Sequence, residues 1–250
     1  MNILAFDTCL GACSVAVGRN IDTEEASIFA MFEAMEMGHA ERLVPMIADT
    51  LAAAGLGLPQ IGRIAVTNGP GSFTGTRISV AAARALALAS DNRIEVVALS
   101  SLAVMAARAS ELLGQERHVG NGPRQPAGLS SRDLAIAVDA RRGEVYVQLF
   151  RAGGNDLLSE PQLRTIAEAA LLGGMGPIDF AGSGAAAVAV AAREQGREAA
   201  AHLPELLPRA EELARLAIGA APLRAAVRPL YLRPADAKPQ IGKSIARAPS

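Results

Sequence analysis

The chain has 250 residues, 24 basic against 25 acidic side chains, half its residues apolar and no tryptophan. A net charge of -1 excludes the uniformly basic surface of a general duplex binder and leaves room only for a local patch. Asp7 interrupts the first apolar run and Arg84 breaks the run 78–89, so no stretch approaches the roughly 20 apolar residues that span a bilayer, and none opens as a leader. A cytosolic protein of one large domain or two smaller ones is expected, with Cys9 and Cys13 as reduced thiols.

Taken in chain order, residues 3–5 and 13–17 are short β-rich runs around a Gly-containing turn, which predicts a hairpin. An apolar stretch at 26–35 predicts a third strand. From 39 to 54 the period becomes helical, with Leu43, Met46, Ile47 and Leu51 at three- and four-residue steps, and Gly55 stops the helix. A strand at 64–67 then runs through a Gly-rich turn into a helix at 74–89, followed by a strand at 95–99. After a helix at 101–113, residues 114–132 lack apolar periodicity and read as a mobile loop.

The order then starts again. Strands at 134–138 and 144–150 flank a tight turn. A weak strand and helix occupy 161–172, a strand 178–181, a helix 185–194 and a last strand 198–202. Two tandem β-β-β-α-β-α-β units predict a duplicated α/β architecture. An amphipathic helix is predicted at 208–219. The tail carries both lysines, Lys238 and Lys243, with Arg233 and Arg247; it offers few apolar groups and reads as a flexible basic terminus, with a partner or RNA contact as the alternative.

The run Gly69-Pro70-Gly71-Ser72-Phe73-Thr74-Gly75 joins a strand to a helix. Its glycines suit either close approach to a phosphate at the helix start or a turn that needs glycine for steric reasons, and both readings stay open. It lacks the Lys of a P-loop, and Pro70 and Thr74 stand where a nucleophile elbow needs glycine. Asp7 ends the first strand, where proteins of the actin, Hsp70 and sugar-kinase superfamily hold magnesium, but Thr8 stands where those turns usually have Gly. Asp139 holds the corresponding carboxylate position in the second unit, and Gly182 and Gly184 match the adenosine-contacting glycines loosely. His39, His118 and His202 are scattered without partners at ligand spacing, so no metal site is expected, and His39 reads as an exposed first-turn residue.

Taken together, "ILAFDTCLGACSVAV", "HAERLVPMI", "GPGSFTGTRISVAAARALA", "VDARRGEVYVQLF" and "PLYLR" resemble the TsaB (YeaZ) family of threonylcarbamoyladenosine biosynthesis proteins, from Met1 to about Lys238. The resemblance implies the actin/Hsp70-like (ribonuclease H-like) fold. It also implies a non-catalytic relative of TsaD, the transferase that threonylcarbamoylates the adenosine beside the anticodon of ANN-reading tRNAs. Its implied partners are TsaD, the ATPase TsaE, tRNA through the complex and, in isolation, a second copy; no membrane is among them. TsaD proteins carry an HxxxH metal pair, and Ser101 and Met105 align with it, so neither metal nor catalytic residues are expected. No cofactor is expected of this chain by itself, although a nucleotide at the partner interface stays open.

The expected organisation is therefore 1–100 and 101–205 as the two superfamily-like units, 206–233 packing back on the first, and 234–250 as tail. Asp7, Thr8, Gly71, Ser72, Asp139, Gly182 and Gly184 are expected to line a degenerate nucleotide cleft. Both helices of the first unit have apolar stripes wider than one buried face needs, which suits either a second partner surface or a helix buried on two sides within one fold. By resemblance they form a four-helix bundle with a partner, through Leu43, Met46, Ile47 and Leu51 on one and Ile78, Ala82, Ala85, Leu86 and Ala89 on the other. The alternatives weighed against a scaffold are an autonomous small-molecule kinase or ATPase of the same fold, and a peptidase.

Overall fold

The computed structural model describes residues 1–91, 93–116, 132–152 and 156–233. Most of the expected loop at 114–132, and the expected tail at 234–250, lie outside the described residues.

The first half forms β1 (Ile3–Asp7), β2 (Ala12–Arg19), β3 (Ser27–Ala34), α1 (His39–Ala53), β4 (Arg63–Thr67), α2 (Phe73–Ala89) and β5 (Glu95–Leu99). Its sheet has the order β3-β2-β1-β4-β5. β1 pairs antiparallel with β2 and parallel with β4. Every residue of β1 is buried, as an apolar run covered on both faces requires. Alternation sorts them: Leu4 and Phe6 pack with α1 and α2 through Leu43, Met46, Ile47 and Val80, whereas Ile3 and Ala5 face the opposite side.

The second half repeats the plan. It contains α3 (Ser101–Glu116), β6 (Asp133–Asp139), β7 (Glu144–Phe150), β8 (Gln162–Thr165), α4 (Ile166–Ala170), β9 (Ile178–Ala181), α5 (Ala185–Glu194), β10 (Ala199–His202) and α6 (Ala210–Leu216). The order β10-β9-β6-β7-β8 is the first sheet's order repeated in equivalent strands. Again the middle strand pairs antiparallel with the second and parallel with the fourth. Two copies of this mixed sheet make the duplicated actin/Hsp70-like fold. α4 starts with a capping box in which Thr165 Oγ1 accepts from the Glu168 amide while the Glu168 carboxylate accepts from the Thr165 amide.

α3 and α6 lie between the sheets. α3 packs Leu102, Met105, Ala106 and Ala109 on Leu134 and Ile136 of the second sheet. α6 returns to the first sheet, placing Ala210, Leu213, Ala214 and Ala217 against Ile3, Ala5 and Ala16. Ser14 Oγ accepts from the Ala210 amide at 2.9 Å and so caps the helix start. At the other end Arg63, 8% exposed, donates to the carbonyls of Ala217, Ile218 and Ala220 and pairs with Glu95. α6 is shorter than the 208–219 expected, because residues beyond Leu216 turn to meet this guanidinium. Arg197 does the same for α4, donating to Ala170 and Leu172.

Candidate functional site

A cleft of about 630 Å³ opens between the halves, lined on one side by Leu10, Glu36, His39, Gly71 and Ser72 and on the other by Asp139, Arg141 and Tyr146. It contains Gly71, Ser72 and Asp139 of the seven cleft residues expected from sequence. Asp7 and Thr8 do not reach it, since both are 0% exposed, and Gly182 and Gly184 are buried as well.

Asp7 and Thr8 are covered by the start of α2. The Ser72 amide donates to Cys9 O at 2.7 Å. Thr8 Oγ1 donates to Gly75 O at 2.7 Å, and the Thr8 amide donates to Ser79 Oγ at 3.0 Å. A Cβ on Gly71 would stand 2.1 Å from Cys9 O, and one on Gly75 2.0 Å from Thr8 O. Glycine is needed here because one backbone lies on another, so the steric reading of the Gly-rich turn holds. Ser72 Oγ accepts from the Gly75 amide and caps α2. The turn that would cradle a phosphate is filled by the chain's own atoms.

The second half does the same. The Gly184 amide donates to Ala137 O at 2.9 Å, and a Cβ on Gly182 would stand 2.6 Å from that carbonyl. Asp139 remains exposed; its Oδ1 accepts from the Arg141 amide, and its own amide donates to Ser183 Oγ. Arg141 and Arg142 both have positive φ, 64° and 60°, in the turn at the cleft mouth.

Burial dominates the electrostatics beneath the cleft. It raises the Asp7 pKa to about 6, against the lowering effect of hydrogen bonds from Thr67 and Cys9. Asp7 Oδ2 is buried without a partner. Burial and the nearby Asp7 charge hold the Cys9 thiol well above its ordinary value and push Cys13 up to about 11. Both cysteines are free and buried, so neither is an activated thiolate. His39 is not the exposed residue expected: it is 8% exposed, with Nε2 3.1 Å from Leu10 O. Leu10 and His39 are thereby joined at the cleft wall, which no spacing in the sequence signalled. His202 lies 3.3 Å from Asp179, away from the cleft residues, and His118 is outside the described residues.

A family model described as "TsaD: tRNA N6-adenosine threonylcarbamoyltransferase" matches residues 33–228. "tRNA threonylcarbamoyladenosine biosynthesis protein TsaB" of Escherichia coli is 34% identical over 157 residues, covering 63% of this chain and 58% of that protein. The Bacillus subtilis protein of the same name is 32% identical over 151 residues, covering 60% and 56%. The match thus spans little more than half the length of these relatives. The solved structure "YeaZ from Pseudomonas aeruginosa" superposes with a TM-score of 0.70 and 30% identity, over 92% of this chain and 99% of that one.

The chain belongs to the TsaB/YeaZ family.

In this member Ser101 and Met105, the positions that the resemblance sets against a metal pair, are both engaged within the chain. Ser101 Oγ donates to Pro70 O at 2.5 Å, and Met105 is buried among apolar side chains. A hydroxyl already bonded and a thioether in a dry cluster are poor substitutes for two imidazoles. A second structural neighbour is described as having similarity to "peptidase YEAZ". Here Ser72 is a helix cap, Cys9 is held protonated and His39 is bonded to a carbonyl, so no nucleophile and base stand together among these residues.

The expected partner face needs correction in this TsaB/YeaZ chain. Leu43, Met46 and Ile47 are buried in the first half's own core. Leu51, Ile78, Ala82 and Leu86 pack against that core. The stripe is wide because α1 and α2 each cover the sheet and also touch one another. Ala85 and Ala89 do remain exposed. The apolar residues actually facing outward include Val44, 65% exposed, and Leu88, 70% exposed, with Ala48 and Ala81.

Proposed function

We propose that this chain is a non-catalytic scaffold and activator of a TsaD-type transferase, acting in formation of threonylcarbamoyladenosine on tRNA. The observation that carries the reading is the seal over Asp7. The carboxylate that would serve a nucleotide in this fold is 0% exposed, and the turn after it is occupied by Gly71, Gly75 and Ser79. A group shut from the cleft neither positions magnesium nor moves a proton for a substrate. The names of the relatives and of the matching family model supply the reaction that the scaffold serves.

What the molecule offers instead is a surface. Val44, Ala48, Ala81, Ala85 and Leu88 present an apolar face on two adjacent helices, and small residues let partner helices approach closely. In this reading the face binds TsaD, or a second copy when TsaD is absent. TsaE and tRNA join through the assembled complex. Residues 206–233 anchor the first half, and the open cleft retains room for a nucleotide shared with the partner. Among the described residues no helix is long and apolar enough to cross a membrane.

Ala85→Arg tests the reading. Ala85 is exposed, so the variant keeps its circular dichroism spectrum, whereas an unpaired desolvated guanidinium in the interface costs roughly 3–5 kcal/mol. Light scattering should report loss of self-association and co-purification loss of TsaD. Retention of both would refute the assigned face. ATP turnover by the purified chain at about 1 per second or faster would refute the non-catalytic role.

A further inference from the structure

We propose that the edge where residues 221–233 lie along α2 is a binding surface for an RNA phosphodiester backbone, with a base-stacking platform at one end. The proposal deepens the function above, from which it takes tRNA as the probe.

The segment is pinned along the helix in the reverse direction. The Leu223 amide donates to Val96 O at 2.8 Å, Arg84 Nε donates to Val227 O at 2.7 Å, and Arg77 Nε donates to Tyr231 Oη at 3.0 Å. Val227, 3% exposed, anchors it in the core. α2 and residues 221–233 together contain Arg77, Arg84, Arg224, Arg228 and Arg233 and not one Asp or Glu. Arg233 is committed to Glu144; the other four are exposed.

Two features make this more than a solvated charged edge. First, Arg77 and Arg84 hold the segment through Nε alone, which orients each guanidinium and leaves its two terminal nitrogens for a phosphate. Arg84, Arg93 and Arg224 also line a depression of about 540 Å³ beside β5. The carboxylate in that lining, Glu95, is already held by Arg63 Nε and Nη2 at 3.0 and 2.7 Å, so it opposes an anion little. Second, at the start of the helix, about 16 Å along its axis from Arg84, Phe73 and Tyr231 stack with centroids 5.1 Å apart. Arg77 sits 4.1 Å from the Phe73 centroid. The rings are 47% and 45% exposed, an unusual display of apolar surface in a chain with so few aromatics. Guanidiniums beside exposed stacked rings are the elements of single-strand recognition, where the cations hold phosphates and the rings receive a base. An acidic protein would use the arginines but not the platform.

Binding of labelled tRNA to the purified full chain, without TsaD, is measured by fluorescence anisotropy across a salt series. Arg224→Gln/Arg228→Gln removes two guanidiniums whose side chains hold nothing else in place. The variant should weaken binding about tenfold and reduce the slope of log K against log salt by about 1.5. Tyr231→Ala should weaken it about fivefold or more with the slope unchanged. Absence of tRNA binding, or binding unaltered in the double variant, overturns the proposal while leaving TsaD association, measured separately, intact. Failure of the wild-type chain to associate with TsaD, with tRNA binding retained, would instead refute the scaffold reading. Equal binding of polyglutamate, insensitive to Tyr231→Ala, would assign the edge to an acidic protein and overturn the RNA proposal.

Discussion

Replacing Asp7 with asparagine isolates the energetic consequence of sealing a carboxylate under α2. In the folded chain burial raises the Asp7 pKa from an ordinary 3.8 to about 6. That rise corresponds to roughly 3 kcal/mol of preference for the protonated form. Between these two values the folded state holds a proton that the unfolded state has released, so stability falls as pH rises. The contribution is neutral below about pH 4, declines through the window, and stays at its full cost above about pH 6. An asparagine side chain cannot ionise. Its amide nitrogen would occupy the place of Oδ2, which has no partner, at a pH-independent cost of about 1–3 kcal/mol. That cost moves the whole difference curve but not its slope.

Urea unfolding followed by circular dichroism, for both proteins at a series of pH values, gives the measurement. The stability of wild type minus that of the variant should fall by about 2–3 kcal/mol from about pH 4 to about pH 6.5. Titratable groups common to both proteins cancel in the difference, and Cys13, at about 11, lies outside the window. A flat difference would mean that Asp7 is hydrated or paired in solution, and the argument from its seal would fail.

Other outcomes follow from the same structure. Asp7→Asn should leave tRNA modification by the reconstituted complex within severalfold of wild type, assayed by nucleoside chromatography; loss of activity with assembly intact would restore a role in nucleotide chemistry. Gly75→Ala should destabilise the fold by about 3 kcal/mol or more in urea melts, because its Cβ meets Thr8 O at 2.0 Å. Arg63→Met should cost about 2–4 kcal/mol, since three carbonyls beyond α6 lose a charged donor; an unchanged melt would show that water caps α6 equally well. Thr8→Val should cost about 1–3 kcal/mol in the same melts by leaving Gly75 O and Ser79 Oγ short of a partner.

The order of strands and helices was legible in the chain because it depends on local pattern. The apolar run of β1 and the three- and four-residue steps of α1 each describe their element without reference to a distant one. The tandem recurrence of that order was enough to predict the duplicated fold, and the glycines at 71, 75, 182 and 184 announced that the backbone comes close to something. What it comes close to was decided only by tertiary structure. Gly75 meets Thr8, 67 residues away, and Gly184 meets Ala137, 47 residues away; composition around a glycine cannot say whether phosphate or backbone fills its space. Apolar periodicity likewise marked Leu43, Met46 and Ile47 as buried but could not say against which molecule, since the sheet and a partner helix present the same chemistry to them. Arg63, Arg197 and His39 carried no signal at all, because the carbonyls they meet are a property of how helices end and chains turn in three dimensions.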